Sequence, residues 1–233
     1  MASRTHIPPT LSVAYATPPL QYSVHTPPRS MARELAAVFV NTPAAVAAAT
    51  ATAAAGATAV ATKAEGEAAA AAATAASPSS TPTLLVIPVL QRSRMPLVAW
   101  GAAEAAEKDA LLERFLVWAA AVRDGIAAAA AAGGDGNDRE GGEGWWADVT
   151  DPASGQPHWG TAGSAVFSET DAVERLLRYG AEEAGGCRIV RHPTWGAAVY
   201  LSSFFTNAPL EVVAAVLARV NGQEAGADGG REA

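Results

Sequence analysis

A run of alanine and threonine over residues 44–76 divides the chain and limits what it can fold into. Alanine favours helix but threonine does not, and the run has no bulky side chains that could form a buried face. We predict a low-complexity spacer here. Before it, residues 35–40 predict one short strand, which Pro43 ends. Residues 34–82 are therefore predicted to hold one strand and a spacer.

The first 33 residues contain no Asp or Glu, three arginines and three pairs of prolines. An acid-free, Arg- and Ser-bearing N-terminus is typical of a mitochondrial presequence. The alternative is an ordinary disordered tail, because proline breaks an amphipathic helix. In both interpretations we predict that residues 1–33 are disordered.

The folded part is predicted to be one α+β domain over residues 83–222, followed by a disordered tail over 223–233. Short apolar runs, which indicate strands, and apolar residues at helical spacing, which indicate helices, follow one another in no regular order. A doubly wound sheet would show a repeated strand–helix order instead. The predicted strands are 84–90, 95–100, 145–149, 188–190 and 197–205, and the second is predicted to form a hairpin with the first. The predicted helices are 104–132, 171–179 and 210–220. A turn is predicted at 151–155 and an acidic loop at 133–144.

Composition excludes several classes of function. A net charge of −7 without a cluster of Lys or Arg argues against a nucleic-acid partner. An uninterrupted run of about 20 bulky apolar residues is missing, so we predict no membrane insertion. The only cysteine, Cys187, excludes an internal disulfide and a zinc site of several thiolates. Gly-rich phosphate loops and the helical spacings of zinc peptidases are also missing.

The second half contains more specific motifs. They are Gly144-Trp145-Trp146-Ala147-Asp148, Asp151-Pro152-Ala153-Ser154-Gly155, Glu169-Thr170-Asp171, Gly186-Cys187-Arg188-Ile189-Val190-Arg191-His192, Trp195-Gly196 and Phe204-Phe205-Thr206-Asn207-Ala208. These motifs resemble those of the cobalamin-trafficking protein D family. The resemblance covers about 140 residues and keeps the order of the family's elements. The N-terminal segment and the spacer match nothing in the family.

The resemblance implies a nitroreductase-like α/β sandwich with a mixed, mostly antiparallel sheet and without flavin. It implies a non-catalytic adaptor that binds no cofactor alone and docks on a type C cobalamin-processing protein. Cobalamin would be shared with that partner and directed to methionine synthase and methylmalonyl-CoA mutase. The family is associated with the cytoplasm and the mitochondrion, and a presequence would fit the second.

The resemblance also singles out Cys187 as a thiolate ligand to the cobalt of cobalamin held by the partner. The family has a Cys-Cys pair whose second member has this role; Cys187 occupies that position and Gly186 replaces the first. A thiolate is a soft donor that suits a late transition metal. The adjacent Arg188 and Arg191 would favour the thiolate form.

A structural role for Cys187 is the alternative: a small hydrophobe buried at the start of a strand. Glu182 and Glu183 would oppose the thiolate if they approach the sulfur. His192 could be a cobalt ligand, but a packed histidine that bonds to backbone is favoured. Asp148 and Asp151 are interpreted as turn residues that accept backbone hydrogen bonds.

Partner contacts are predicted for the segment that leads into the cysteine, at Asp171, Tyr179, Gly186 and Arg188. The alternative function is a flavin-dependent, nitroreductase-like oxidoreductase, which rests on fold analogy alone. A scaffold in which the cysteine is inert is the third possibility.

Overall fold

The computed structural model describes residues 3–16, 19–40, 84–132 and 145–222. The predicted spacer, the acidic loop and the C-terminal tail lie outside these residues. The described elements are β1 (Arg4–Ala16), β2 (Pro19–Thr26), α1 (Arg29–Val38), β3 (Phe39–Val40), β4 (Leu85–Arg92), α2 (Ala102–Ala132), β5 (Ala147–Val149), β6 (Thr161–Ala162), α3 (Glu169–Leu177), β7 (Gly180–Ala184), β8 (Cys187–Arg191), β9 (Val199–Thr206) and α4 (Leu210–Val220). The predicted α+β class is confirmed, and the nitroreductase-like likeness stays a prediction.

Five of the described strands form one sheet in the order β1-β2-β4-β9-β5. Each neighbouring pair is antiparallel, and β4 pairs with β9 from Leu85–Thr206 to Arg92–Val199. Two small sheets, β3 with β6 and β7 with β8, lie beside it.

The main sheet separates two apolar clusters because successive side chains of a strand point to opposite faces. Leu85, Ile87 and Val89 pack on one face with α2 and α4, whereas Val86 packs on the other with α1 and α3. Helices therefore cover both faces, and β4 is buried along almost its whole length.

Helix α2 supplies the largest side chains of the first cluster. Phe115, Trp118 and Val122 recur at steps of three and four residues and are fully buried. The Trp118 Nε1 donates to Asn221 Oδ1 at 3.0 Å, which ties α2 to the end of α4. By length and composition alone α2 could cross a membrane. A core helix passes the same test, and the absence of membrane insertion stays a prediction.

The prediction of a disordered tail over residues 1–33 is wrong. Strands β1 and β2 form a hairpin in the main sheet, and Leu20, Tyr22 and Val24 are buried in its core. Pro8 and Pro9 are accommodated because β1 is an edge strand, where a missing N–H is tolerated. Its ladder shifts register between Ile7 and Thr10, around the first proline pair.

Two other predicted strands differ from the structure. Residues 35–38 belong to α1, whose Met31, Leu35 and Val38 lie at helical spacing and are buried; strand structure is limited to β3 there. Residues 95–100 form bends and turns, and β4 pairs with β2 and β9 instead of with them. The other predicted helices and strands of 83–222 are confirmed within a few residues.

Candidate functional site

Cys187 is the first residue of β8 in a hairpin with β7, and its side chain is exposed. It pairs with Ala184 across a two-residue turn made by Gly185 and Gly186. Both glycines have positive φ, 58° and 84°, which is the requirement of the tight turn that best matches the twist of a hairpin. The space around the backbone of Gly186 is open. The alternative of a buried Cys187 is therefore wrong.

Cys187 lines a cleft of about 410 Å³. Its walls come from the bends after β4, from α2, from the turn after β5, from α3, from β8, and from β9 and the residues before it. The lining residues are Leu97, Val98, Trp100, Lys108, Pro152, Thr170, Cys187, Arg188, Ile189, Val190, Ala197, Val199 and Leu201. Trp100 is 92% exposed and Val98 is 47% exposed, so these two side chains give the cleft an apolar part that is open to solvent. The Lys108 Nζ lies 5.6 Å from the centre of the Trp100 ring, a cation–π contact.

The tip of the hairpin is tied to α3 by Arg188. Its Nη1 donates to Asp171 Oδ1 at 2.6 Å, its Nη2 donates to Glu174, and its Nε lies 3.3 Å from Glu183 Oε1. Helix α3 begins at a cap in which the Ser168 Oγ accepts from the Asp171 backbone N–H at 3.2 Å. The structure thus brings the predicted contact residues Asp171 and Arg188 together and pairs their charges.

The second predicted cation, Arg191, is paired as well. Its Nη2 donates to Glu182 Oε2 at 2.6 Å. This hydrogen bond lowers the pKa of Glu182 and raises the pKa of Arg191. The guanidinium groups near Cys187 are therefore directed at carboxylates, and their effect on the thiol stays a prediction.

The base of the hairpin is closed by His192, which is buried. Its Nδ1 accepts from the Thr194 and Trp195 backbone N–H groups, both at 3.1 Å. The ring proton is consequently on Nε2, which donates to Gln21 Oε1 at 3.1 Å. Burial lowers the pKa of His192, and the ring stacks on Trp195 at 4.0 Å. Both ring nitrogens are engaged, in agreement with the structural interpretation of His192.

Tyr179, another predicted contact residue, is half-buried at the same base. Its ring meets the His192 ring edge to face at 5.3 Å, and its hydroxyl donates to Gln21 Oε1 at 3.4 Å. Burial raises the pKa of Tyr179. Tyr179 therefore faces the interior of the protein, and Gln21 belongs to the segment that the sequence assigned to a tail.

Asp148 and Asp151 have the turn roles expected of them. Asp148 is buried and accepts from the backbone N–H groups of Val149, Trp159 and Gly160 at 2.8, 3.0 and 2.9 Å. Burial raises the pKa of Asp148, and these hydrogen bonds oppose that rise. Asp151 accepts from the Ser154 hydroxyl at 2.7 Å.

A carboxyl group that sequence reasoning missed lies beside the cleft. Glu169, in the first turn of α3, is buried and accepts from the hydroxyls of Thr150 at 2.8 Å and Ser203 at 2.5 Å. Burial raises the pKa of Glu169 to about 7, and these two hydrogen bonds oppose the rise. Its neighbour Thr170 lines the cleft. The described residues contain no cluster of three His, Cys, Asp or Glu side chains that could hold a metal ion.

Comparison with known proteins places this site inside a recognised family. A family model described as methylmalonic aciduria and homocystinuria type D protein matches residues 73–218, which include the hairpin and the whole cleft. A cobalamin trafficking protein CblD of Rattus norvegicus is 31% identical over 125 residues, and those of Mus musculus and Homo sapiens are 30% identical over the same length. Each alignment covers 54% of this chain and 38% of the relative. The match thus spans little more than a third of those relatives, and β1, β2, α1 and β3 lie outside the matched residues of the family model.

Proposed function

The chain belongs to the methylmalonic aciduria and homocystinuria type D protein family, and we propose that it acts in cobalamin trafficking as a non-catalytic adaptor. In this proposal it docks on a type C-like processing protein that holds cobalamin and presents Cys187 to the cobalt. The cofactor then passes to methionine synthase and methylmalonyl-CoA mutase. The single observation that carries the proposal is the exposure of Cys187 on a tight turn at the rim of an open cleft.

The dimensions of the cleft support a shared cofactor. A volume of about 410 Å³ lies within the range of small-molecule pockets and is far smaller than a corrin macrocycle with its side chains. The chain would thus approach cobalamin from one face while the partner encloses the rest. A thiolate sulfur is a soft ligand suited to the metal, and the thiol proton would leave to solvent when the sulfur binds.

We expect the absorption spectrum of cobalamin to shift when this chain and its type C-like partner are mixed, and Cys187→Ser to abolish the shift. Serine keeps the shape of the side chain but offers a hard oxygen in place of the soft sulfur. Absorbance of the ternary mixture is the measurement. Val166→Ser, a change at a 63% exposed position outside the cleft, is the matched control and should keep the shift.

The same mixture separates the competing interpretations. An unchanged cobalamin spectrum with the native chain, in a mixture where the two proteins co-elute, would contradict the role of Cys187 as a ligand. The same outcome would favour a scaffold with an inert cysteine.

Trp100 is proposed to anchor the partner at the rim of the same cleft. Large aromatic side chains contribute disproportionately to protein interfaces, and this one is almost fully exposed beside Cys187. We expect Trp100→Ala to weaken binding of the partner by roughly 2 kcal/mol, about a 30-fold rise in Kd. The melting temperature should stay close to the native value, because an exposed side chain contributes little to the core.

Isothermal titration calorimetry with the partner measures this effect. Val117→Ala is the control, because Val117 is 60% exposed but lies on α2 outside the cleft. Equal affinities for the Trp100→Ala and native chains would remove Trp100 from the interface.

We further propose pools of the protein in the cytoplasm and the mitochondrion. The presence of β1 and β2 within residues 1–33 supports import without cleavage, because removal of the segment would take two strands from the main sheet. Mass spectrometry of the protein from isolated mitochondria tests this proposal, and a chain that begins after β2 would contradict it.

A further inference from the structure

The two residues that flank the Cys187 hairpin meet a single carboxamide. Tyr179 directly precedes β7 and His192 directly follows β8, and both contact Gln21 Oε1, at 3.4 and 3.1 Å. The Gly180–Arg191 pair closes the hairpin immediately above this point. Both chain ends of the hairpin are therefore held by one atom of β2.

Gln21 lies on an inner strand of the main sheet. Strand β2 lies between β1 and β4, and Gln21 is opposite Leu11 on one side and Leu90 on the other. Leu20 and Tyr22 point into the core formed with α2 and α4, so Gln21 projects from the other face of the sheet, where the hairpin lies.

The ion pairs at the tip of the hairpin are a weaker constraint. The side chains of Arg188 and Asp171 are each 44% exposed, and exposed ion pairs typically contribute little because water and salt screen them. The hydrogen bonds at the base involve His192, which is 3% exposed and has both ring nitrogens occupied. The free-energy cost of leaving a buried donor without its acceptor is larger than the cost of losing an exposed ion pair.

We infer that Gln21 is a positioning residue that fixes the pose of the Cys187 hairpin on the main sheet. The importance of this pose for cobalamin rests on the function proposed above. The inference also makes the N-terminal segment a part of the site, although that segment lies outside the matched family residues 73–218. An intact β2 is then needed for the correct presentation of the thiol as well as for folding.

A nitroxide spin label on Cys187 tests the inference in the full-length chain without cobalamin or partner. The label reports this position alone because the chain has no other cysteine. We expect Gln21→Leu to shorten the rotational correlation time of the label at least about twofold, because the hairpin base loses its acceptor. Gln21→Glu should restore the native line shape, because a carboxylate oxygen accepts both hydrogen bonds.

Two further variants complete the test, one that removes a single hydrogen bond and one that serves as a control. Tyr179→Phe keeps the ring contact with His192 but loses one hydrogen bond, so a smaller shortening is expected even if Gln21→Leu fails to fold. Gln156→Leu, at an exposed glutamine in the turn region after β5, is the matched control and should keep the native line shape.

The outcomes distinguish the inference from the proposed function. Native line shapes in both Gln21→Leu and Tyr179→Phe would overturn the positioning role, whether or not the cobalamin spectrum shifts. A shortened correlation time with rescue by Gln21→Glu would support it even if Cys187→Ser left the cobalamin spectrum unaffected.

Discussion

A chain shortened to begin at Pro27 is expected to lose the cooperative fold of the full-length protein. The deletion removes β1 and β2, and with them the fully buried side chains of Leu20, Tyr22 and Val24. Burying such side chains stabilises a fold by about 1.5–3 kcal/mol each, so the three account for roughly 5–9 kcal/mol. Folded domains have total stabilities of about 5–15 kcal/mol, so this loss is comparable to the whole stability of a typical domain.

The deletion would also expose an edge of the main sheet. Strand β4 pairs with β2 in the native sheet, and without β2 the backbone groups on that side of the apolar strand β4 would be left unpaired. Exposed apolar edges pair with other chains, so we expect the shortened chain to aggregate at micromolar concentration.

Urea denaturation followed by circular dichroism measures the outcome. Leu20→Ala should lower the free energy of unfolding by about 2–5 kcal/mol, as expected for a buried leucine. Leu11→Ala, on the same hairpin but 54% exposed, is the matched control and should change it by less than about 0.5 kcal/mol. A shortened chain with a native urea midpoint and slope would show that the hairpin is dispensable.

The N-terminal hairpin also shows where sequence reasoning failed and why. Residues 1–33 resemble a tail because they contain no acidic residue and have three pairs of prolines. This compositional argument overlooks a local pattern. Leu20, Tyr22 and Val24 alternate with polar residues over 19–26, which is the signature of a half-buried strand. The prolines of this segment that the structure describes lie on an edge strand, at the start of β2 and directly before α1, where a missing N–H is tolerated, and composition alone does not reveal those places.

The elements after residue 83 could be predicted because their apolar periodicity agrees with their final structure. Helix 210–220 was predicted with its observed bounds, and β9 within two residues at its start. The predicted strand at 95–100 failed because hairpin pairing was inferred from closeness in sequence. The neighbours of β4 are instead β2 and β9, which lie far away along the chain.

The site was predictable only in its local part. The motif around Cys187 singled out the thiol, and the structure places it on a glycine turn in an exposed position. The contact of Gln21 with His192 joins residues 171 positions apart, and a local sequence pattern does not predict such a contact. The acidic partners of Arg188 come from α3 and β7, so their arrangement depends on how the hairpin packs.

Two buried groups are expected to give the protein opposite dependences of stability on pH. Glu169 retains its proton in the folded chain up to a pKa of about 7, compared with an ordinary value of 4.5. As the pH rises from 4.5 to about 7, the unfolded chain releases this proton and the folded chain does not. Stability therefore falls, by about 3 kcal/mol in total at roughly 1.4 kcal/mol per unit of pKa difference.

His25 acts in the opposite direction. It is fully buried between the hydroxyls of Thr5 at 3.1 Å and Ser23 at 2.8 Å. Burial, with a smaller effect of the charge on His6, lowers the pKa of His25 to about 4 from 6.5. Below pH 6.5 the unfolded chain binds a proton that the folded chain does not, so stability falls by about 3 kcal/mol as the pH decreases to 4.

Other groups add to both trends in the native chain. The raised pKa of Asp148 adds to the loss of stability with increasing pH, and the lowered pKa values of His6 and His192 add to the loss with decreasing pH. The two large effects overlap between about pH 4.5 and 6.5, so we expect the native profile to be nearly flat there.

Single substitutions should separate the two opposite dependences of stability on pH, which cancel in the native chain. Glu169→Gln stays neutral and keeps partners for both hydroxyls, so the stability difference between variant and native chain should shift in the variant's favour by about 3 kcal/mol from pH 4.5 to 7. His25→Gln should show a shift of similar size in its own favour from pH 6.5 down to 4. Any packing change is constant with pH and cancels from these differences.

Urea unfolding of the three chains at half-unit steps from pH 4 to 8 makes the measurement. Because the two shifts run in opposite directions along the pH axis, a general acid or alkaline weakening of the fold cannot imitate both. Parallel profiles for Glu169→Gln and the native chain would mean that Glu169 ionises in the folded protein as readily as in the unfolded one. The buried carboxyl beside the cleft would then have to gain solvent access that the enclosure by Thr150 and Ser203 does not provide.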